Sequence, residues 1–173
     1  MPDEQPTAAT NRRADPHDLV VDKTGWPPGP WLEEPDRVQW KTAAGVPGLI
    51  VRHRRLGHLC GYAAVTHGHP AYGSGYDDVD VRVHGGLTYA DRCEADGPIC
   101  HVPEPGEPDD VWWLGFDCAH AGDRSPGQEA VMRGLELPRL PPWYEEAYRD
   151  VAYVRQEVEQ LAEQLVAMEA DRG

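Results

Sequence analysis

Apolar positions follow two different periods along this chain. Between Arg37 and Cys118 they come in short runs, Arg37 to Thr42, Gly48 to His53, His58 to Val65, Asp78 to His84 and Asp110 to Cys118. Each run is β-branched or aromatic and is bounded by Gly, Pro or Asp, the pattern of closely spaced antiparallel strands. Val79, Val81 and Val83 alternate with Asp80, Arg82 and His84. A strand there has one buried face and one wet face, with His84 on the wet one. In the last run the same period puts Trp112, Leu114, Phe116 and Cys118 on one side, and Val111, Trp113, Gly115 and Asp117 on the other.

From Pro142 onward the period changes. Ala147, Val151, Val154, Val158, Leu161, Leu165 and Met168 recur at alternating spacings of four and three, a continuous stripe along a helix of roughly 28 residues. Left in water, such a stripe exposes more apolar surface than soluble monomers tolerate. It must lie on the sheet or on another chain, and its strict spacing leads us to expect a homo-oligomer through this helix. The expected fold is α+β, a small antiparallel sheet with Gly/Pro-rich loops and a long C-terminal helix. The expected organisation is a flexible arm over 1–24, a β-rich ligand or catalytic domain over 25–141 and the amphipathic helix over 142–173.

Composition narrows the function. With 18 Gly and 17 Pro in 173 residues, loops carry much of the backbone. Net charge is −14, a field that repels phosphate backbones and anionic lipid, so neither nucleic acid nor a membrane surface is an expected partner. No apolar run reaches the ~18 residues of a spanning helix, and Met1-Pro2-Asp3-Glu4-Gln5 does not open a secretion signal. A cytoplasmic protein is the expectation. Its four cysteines, Cys60, Cys93, Cys100 and Cys118, are then expected to be reduced, with Cys60 and Cys118 as small core residues. No Cys-x-x-Cys pair is present, so a zinc ribbon lacks its usual spacing.

The chemistry gathers in histidine-bearing loops. His67, His69, Tyr72 and Tyr76 lie in a Gly-rich loop long enough to bind or cover a ligand. His84-Gly85-Gly86-Leu87-Thr88-Tyr89 follows a strand end with two glycines, which admit positive φ and close approach of a ligand to backbone N–H groups. Asp117, His120 and Asp123 fall within seven residues of a second Gly-bounded loop. Imidazole and carboxylate together bind a divalent metal or act as acid and base near neutral pH. His84, Asp117, His120 and Asp123 are the candidate catalytic residues. A metal, zinc by preference, would take His84, Asp117 and His120, which places their side-chain tips within roughly 8 Å of one another.

The phrases Gly25-Trp26-x-x-Gly29-Pro30-Trp31, Gly57-His58-Leu59-Cys60-Gly61-Tyr62, His84-Gly85-Gly86-Leu87-Thr88-Tyr89 and Gly115-Phe116-Asp117-Cys118-Ala119-His120 resemble a family of small uncharacterised proteins of actinobacterial phages and bacterial genomes. The resemblance runs from about Gly25 to Leu165. It implies an intracellular, phage-type accessory protein and carries no activity with it.

Three functions fit these residues. The first is a small-molecule hydrolase whose His/Asp rim activates water, with a nucleotide-like substrate stacked on Trp113, Tyr89 or the Tyr72/Tyr76 loop and its phosphate facing Gly85, Gly86 and Thr88. The second is a protein that sequesters such a nucleotide signal without turnover. The third is an adaptor acting through the C-terminal helix.

Overall fold

The computed structural model describes residues 19–93, 97–138, 141 and 144–170. Five strands form one antiparallel sheet: β1 (Arg37–Lys41), β2 (Pro47–Arg52), β3 (Leu59–Thr66), β4 (Tyr89–Arg92) and β5 (Val111–Asp117), in the order β1-β2-β3-β5-β4. Two helices follow, α1 (Pro126–Gly134) and α2 (Val151–Ala170). The fold is α+β, as the two periods require.

The alternation in β5 sorts its side chains between two layers. Leu114, Phe116 and Cys118 join Ile50, Leu59, Ala63 and Val65 on the face covered by α2. Val111 and Trp113 join Leu49, Val51, Cys60, Tyr62 and Ala64 on the other face, beneath Leu19, Val21, Trp26 and Ile99. Chain is therefore already packed at Leu19, inside the stretch expected to be a flexible arm, while 1–18 lies outside the described residues.

Helix α2 lies on its own sheet. Val154, Val158, Leu161, Ala162 and Leu165 are fully buried against β2 and β3. Gly61 of β3 makes this approach possible, since a Cβ there would stand 2.7 Å from Val158 and 2.6 Å from Phe116. The stripe that argued for a homo-oligomer is thus covered in its central part by the chain's own sheet. The helix is also shorter than its sequence period suggests. It starts at Val151 because Asp150 Oδ1 accepts the Tyr153 N–H at 2.8 Å and Glu34 Oε1 accepts the Val151 N–H at 3.1 Å, an N-terminal cap made by two carboxylates. Ala147 instead forms a parallel bridge with Asp123.

The run Asp78 to His84 is not a strand. Val79, Val81 and Val83 do turn inward and pack on the α2 layer, but no strand pairs with the segment. Helix side chains take the place of a ladder: Gln164 accepts the Arg82 N–H at 2.7 Å and donates to the Arg82 carbonyl at 2.8 Å, and Glu157 Oε2 accepts the His84 N–H at 2.8 Å. The fifth strand is β4, formed a few residues later from Tyr89–Arg92.

Cys93 and Cys100 form a disulfide, against the expectation of reduced thiols, whereas Cys60 and Cys118 are buried and free as expected. Among the described residues no helix is long and apolar enough to cross a membrane.

Candidate functional site

Three peptide segments meet at the end of the sheet where β5 finishes. Asp117 closes β5 opposite Cys60, and the turn behind it carries His120 and Asp123. The extended segment on α2 delivers His84 to the same place. His84 Nε2 lies 2.6 Å from Asp123 Oδ2, and the His84 and His120 rings are 5.5 Å apart, edge to face. Ligand-type atoms of His84, His120 and Asp123 all lie within 4.8 Å of one another.

Asp123 is the centre of this cluster. Its side chain is 2% exposed, and it accepts from His84, from the His120 N–H at 3.1 Å and from Arg149 Nε at 2.9 Å. Burial pushes its carboxyl upward, but the bonds from His84 and Arg149 outweigh burial and hold it below the ordinary carboxylate range. Asp123 is therefore ionised at neutral pH.

His120 is different. Its Nδ1 is buried and has no hydrogen-bond partner, although Asp123 Oδ2 is 3.7 Å away and Asp117 Oδ1 3.9 Å away. The rest of its side chain is 35% exposed, so solvent reaches the cluster here and at Asp117. Gly85 lies directly against this ring. With φ at +66° it occupies backbone space that favours glycine, and a Cβ would stand 2.1 Å from His120 Cε1. The close approach expected at Gly85 is that of an imidazole rather than a ligand phosphate.

Apart from the Gly85-Gly86 turn, the expected ligand-binding residues do not assemble around this cluster. Trp113 is fully buried in the second core layer, its ring 5.5 Å from that of His101. Tyr89 packs edge to face on Tyr62 at 5.4 Å in the same layer. His69 is a buried structural residue, with Nε2 2.7 Å from the Leu165 carbonyl and Nδ1 accepting the Ala71 N–H at 3.0 Å. His67 rests on Tyr72, which donates to Asp110 Oδ1 at 2.7 Å, and Tyr76 is exposed. This loop follows Thr66, which pairs with Val111 at the far end of β5 from Asp117, about 20 Å away at the usual strand rise. Thr88 N–H is spent on the Gly115 carbonyl, beside β4. Gly86 keeps the positive φ expected of it and donates to the Val83 carbonyl.

No family model, no curated protein and no solved structure matches the chain. Its chemistry must be read from its own side chains.

Several of those were invisible in the sequence. Arg149 and Tyr153 reach the cluster from the start of α2, Tyr153 Oη standing 2.9 Å from His84 Nδ1. The four-residue spacing of Arg149, Tyr153 and Glu157 beside the apolar stripe was the available signal. Below them, fully buried Arg52 donates to Asp36 at 2.7 Å, Glu34 at 3.1 Å, the Tyr148 hydroxyl at 2.8 Å and the Gly57 carbonyl at 2.9 Å. This network ties the N-terminal segment, β2 and the approach to α2 together. His58 is also buried, with its ring stacked on His53 at 4.9 Å. Burial first, and His53 second, push its pKa down to about 4.

Proposed function

We propose that the protein is a metal-dependent hydrolase whose centre is one divalent cation, zinc by preference, held by His84, His120 and Asp123. The observation that carries this reading is the buried, unpartnered His120 Nδ1, facing an ionised carboxylate that His84 also touches. An orphaned imidazole nitrogen costs free energy unless something coordinates it. Two imidazoles and one carboxylate are a donor set suited to zinc, and three protein ligands leave a fourth position for water. Asp123 replaces Asp117 in the ligand set expected from sequence, because it is Asp123 that meets both imidazoles.

A cation held by these residues would supply Lewis acidity and lower the pKa of a bound water toward ~7. Such a water would be the nucleophile toward an electrophilic carbon or phosphorus of a polar substrate arriving from the exposed side of His120, with the bond to the leaving group the one that breaks. Asp117, about one third exposed on that side, would take the proton that the water gives up and pass it to the leaving group. With Trp113 buried, neither a hydrolase nor a sequestering protein has it as a stacking ring, and the apolar stripe that an adaptor would present on α2 packs on the sheet.

Metal analysis of the purified protein and zinc titration test the reading. One equivalent bound by the wild type, and none by His120→Ala at unchanged fold, is the expected result, together with zinc-dependent turnover in a panel of esters, amides and phosphoesters. A wild-type protein that binds no zinc even on titration overturns it.

A further inference from the structure

Arg149, two residues before α2, and Tyr153 and Glu157 on its first two turns each reach a different part of the cluster. Arg149 Nε donates to Asp123 Oδ1 at 2.9 Å, Glu157 Oε2 accepts the His84 N–H at 2.8 Å, and Tyr153 Oη lies 2.9 Å from His84 Nδ1. The tyrosine is itself held in place. Its backbone N–H is bound by Asp150, and the Arg149 guanidinium lies over its ring at 4.8 Å.

His84 uses both ring nitrogens, which limits its proton positions. An N–H on Nε2 would donate to the Asp123 carboxylate 2.6 Å away and leave Nδ1 to accept the Tyr153 O–H at 2.9 Å. A metal on Nε2 needs the other neutral tautomer, in which Nδ1–H donates. A carbonyl or carboxylate beside Nδ1 would favour only the second arrangement. A phenol hydroxyl donates in one and accepts in the other.

We propose that Tyr153 is the positioning residue of the metal centre, holding the His84 ring in one orientation through both tautomers. A metal taken on Nε2 leaves the ring N–H on Nδ1, donating to the Tyr153 oxygen 2.9 Å away, so that the ring does not turn on loading. The inference rests on the metal reading above, and deepens it.

The test follows the His84 ring nitrogens by ¹⁵N NMR in wild type and Tyr153→Phe, each with and without zinc, alongside zinc affinity and thermal melts. Wild type should carry the His84 ring proton on Nδ1 when zinc is bound. Tyr153→Phe should melt as the wild type does yet bind zinc about 10- to 100-fold more weakly, the usual effect of losing an outer partner of a ligating histidine. Equal zinc affinity and equal His84 spectra in the two proteins would overturn the role of Tyr153 while leaving the metal centre standing. Zinc-loaded wild type whose His84 ring proton is not on Nδ1 would do the same, even if the variant failed to fold. Absence of zinc binding by the wild type would instead remove the metal centre, and this role with it.

Discussion

Lowering the pH should destabilise the protein through His58, by an amount its environment sets. The ring is buried and stacked on His53, and its pKa of about 4 lies below the ordinary 6.5. Between those two values the unfolded chain binds a proton that the native protein does not. Stability therefore rises with pH in this window: the contribution is complete above about pH 6.5 and is lost as pH falls through about 4. The gap corresponds to about 3 kcal/mol at 1.36 kcal/mol per pH unit, a large part of the stability of a small domain. Urea unfolding of wild type and His58→Gln, from about pH 7.5 down to about pH 4, isolates this term. Both proteins lose stability from other groups, but the wild type should lose about 2 to 3 kcal/mol more than the variant. Removing His53, the second cause of the depression, should shrink the difference. Parallel pH profiles for wild type and His58→Gln would refute the reasoning.

Further outcomes follow from particular contacts. Gly85→Ala places a Cβ 2.1 Å from His120 Cε1 at a φ of +66°; it should cost about 1 to 2 kcal/mol in backbone strain and displace His120. Zinc affinity unchanged in this variant would count against His120 as a ligand. Leu161→Ala, at a fully buried position under the sheet, should cost about 2 to 5 kcal/mol in thermal or denaturant melts without altering sedimentation. A change in oligomeric state with an unchanged melt would restore the stripe as an interface between chains. Trp113→Ala should act as a core deletion of about 3 to 5 kcal/mol, so a stable variant with weakened ligand binding would return Trp113 to a binding role.

Much of the candidate site was legible because it is local. Asp117, His120 and Asp123 lie on one short loop, so any fold that ends a strand at Asp117 keeps them together. Which carboxylate meets both imidazoles was not local. Asp123 does so because its backbone bridges to Ala147 and Arg149 clamps its second oxygen, both contributions from chain more than twenty residues on. His84 reaches the loop only because Glu157 and Gln164 bind the segment that carries it.

The same division runs through the fold. Period two in Val111–Asp117 and the four-and-three spacing of the tail determined which side chains share a face, because backbone geometry alone dictates that. What covers each face is a matter of packing between distant segments, to which a local period is blind. The tertiary structure therefore decided that the helix stripe meets its own sheet, that Trp113 lies in a core layer with Leu19, Val21 and Ile99 rather than in a pocket, and that Asp78 to His84 runs beside a helix instead of a strand. In that last segment the inward valines obeyed their alternation, while the partners of the backbone N–H and C=O groups were chosen by Gln164 and Glu157. Burial pattern follows from sequence spacing, and hydrogen-bond partnership follows from which element arrives alongside.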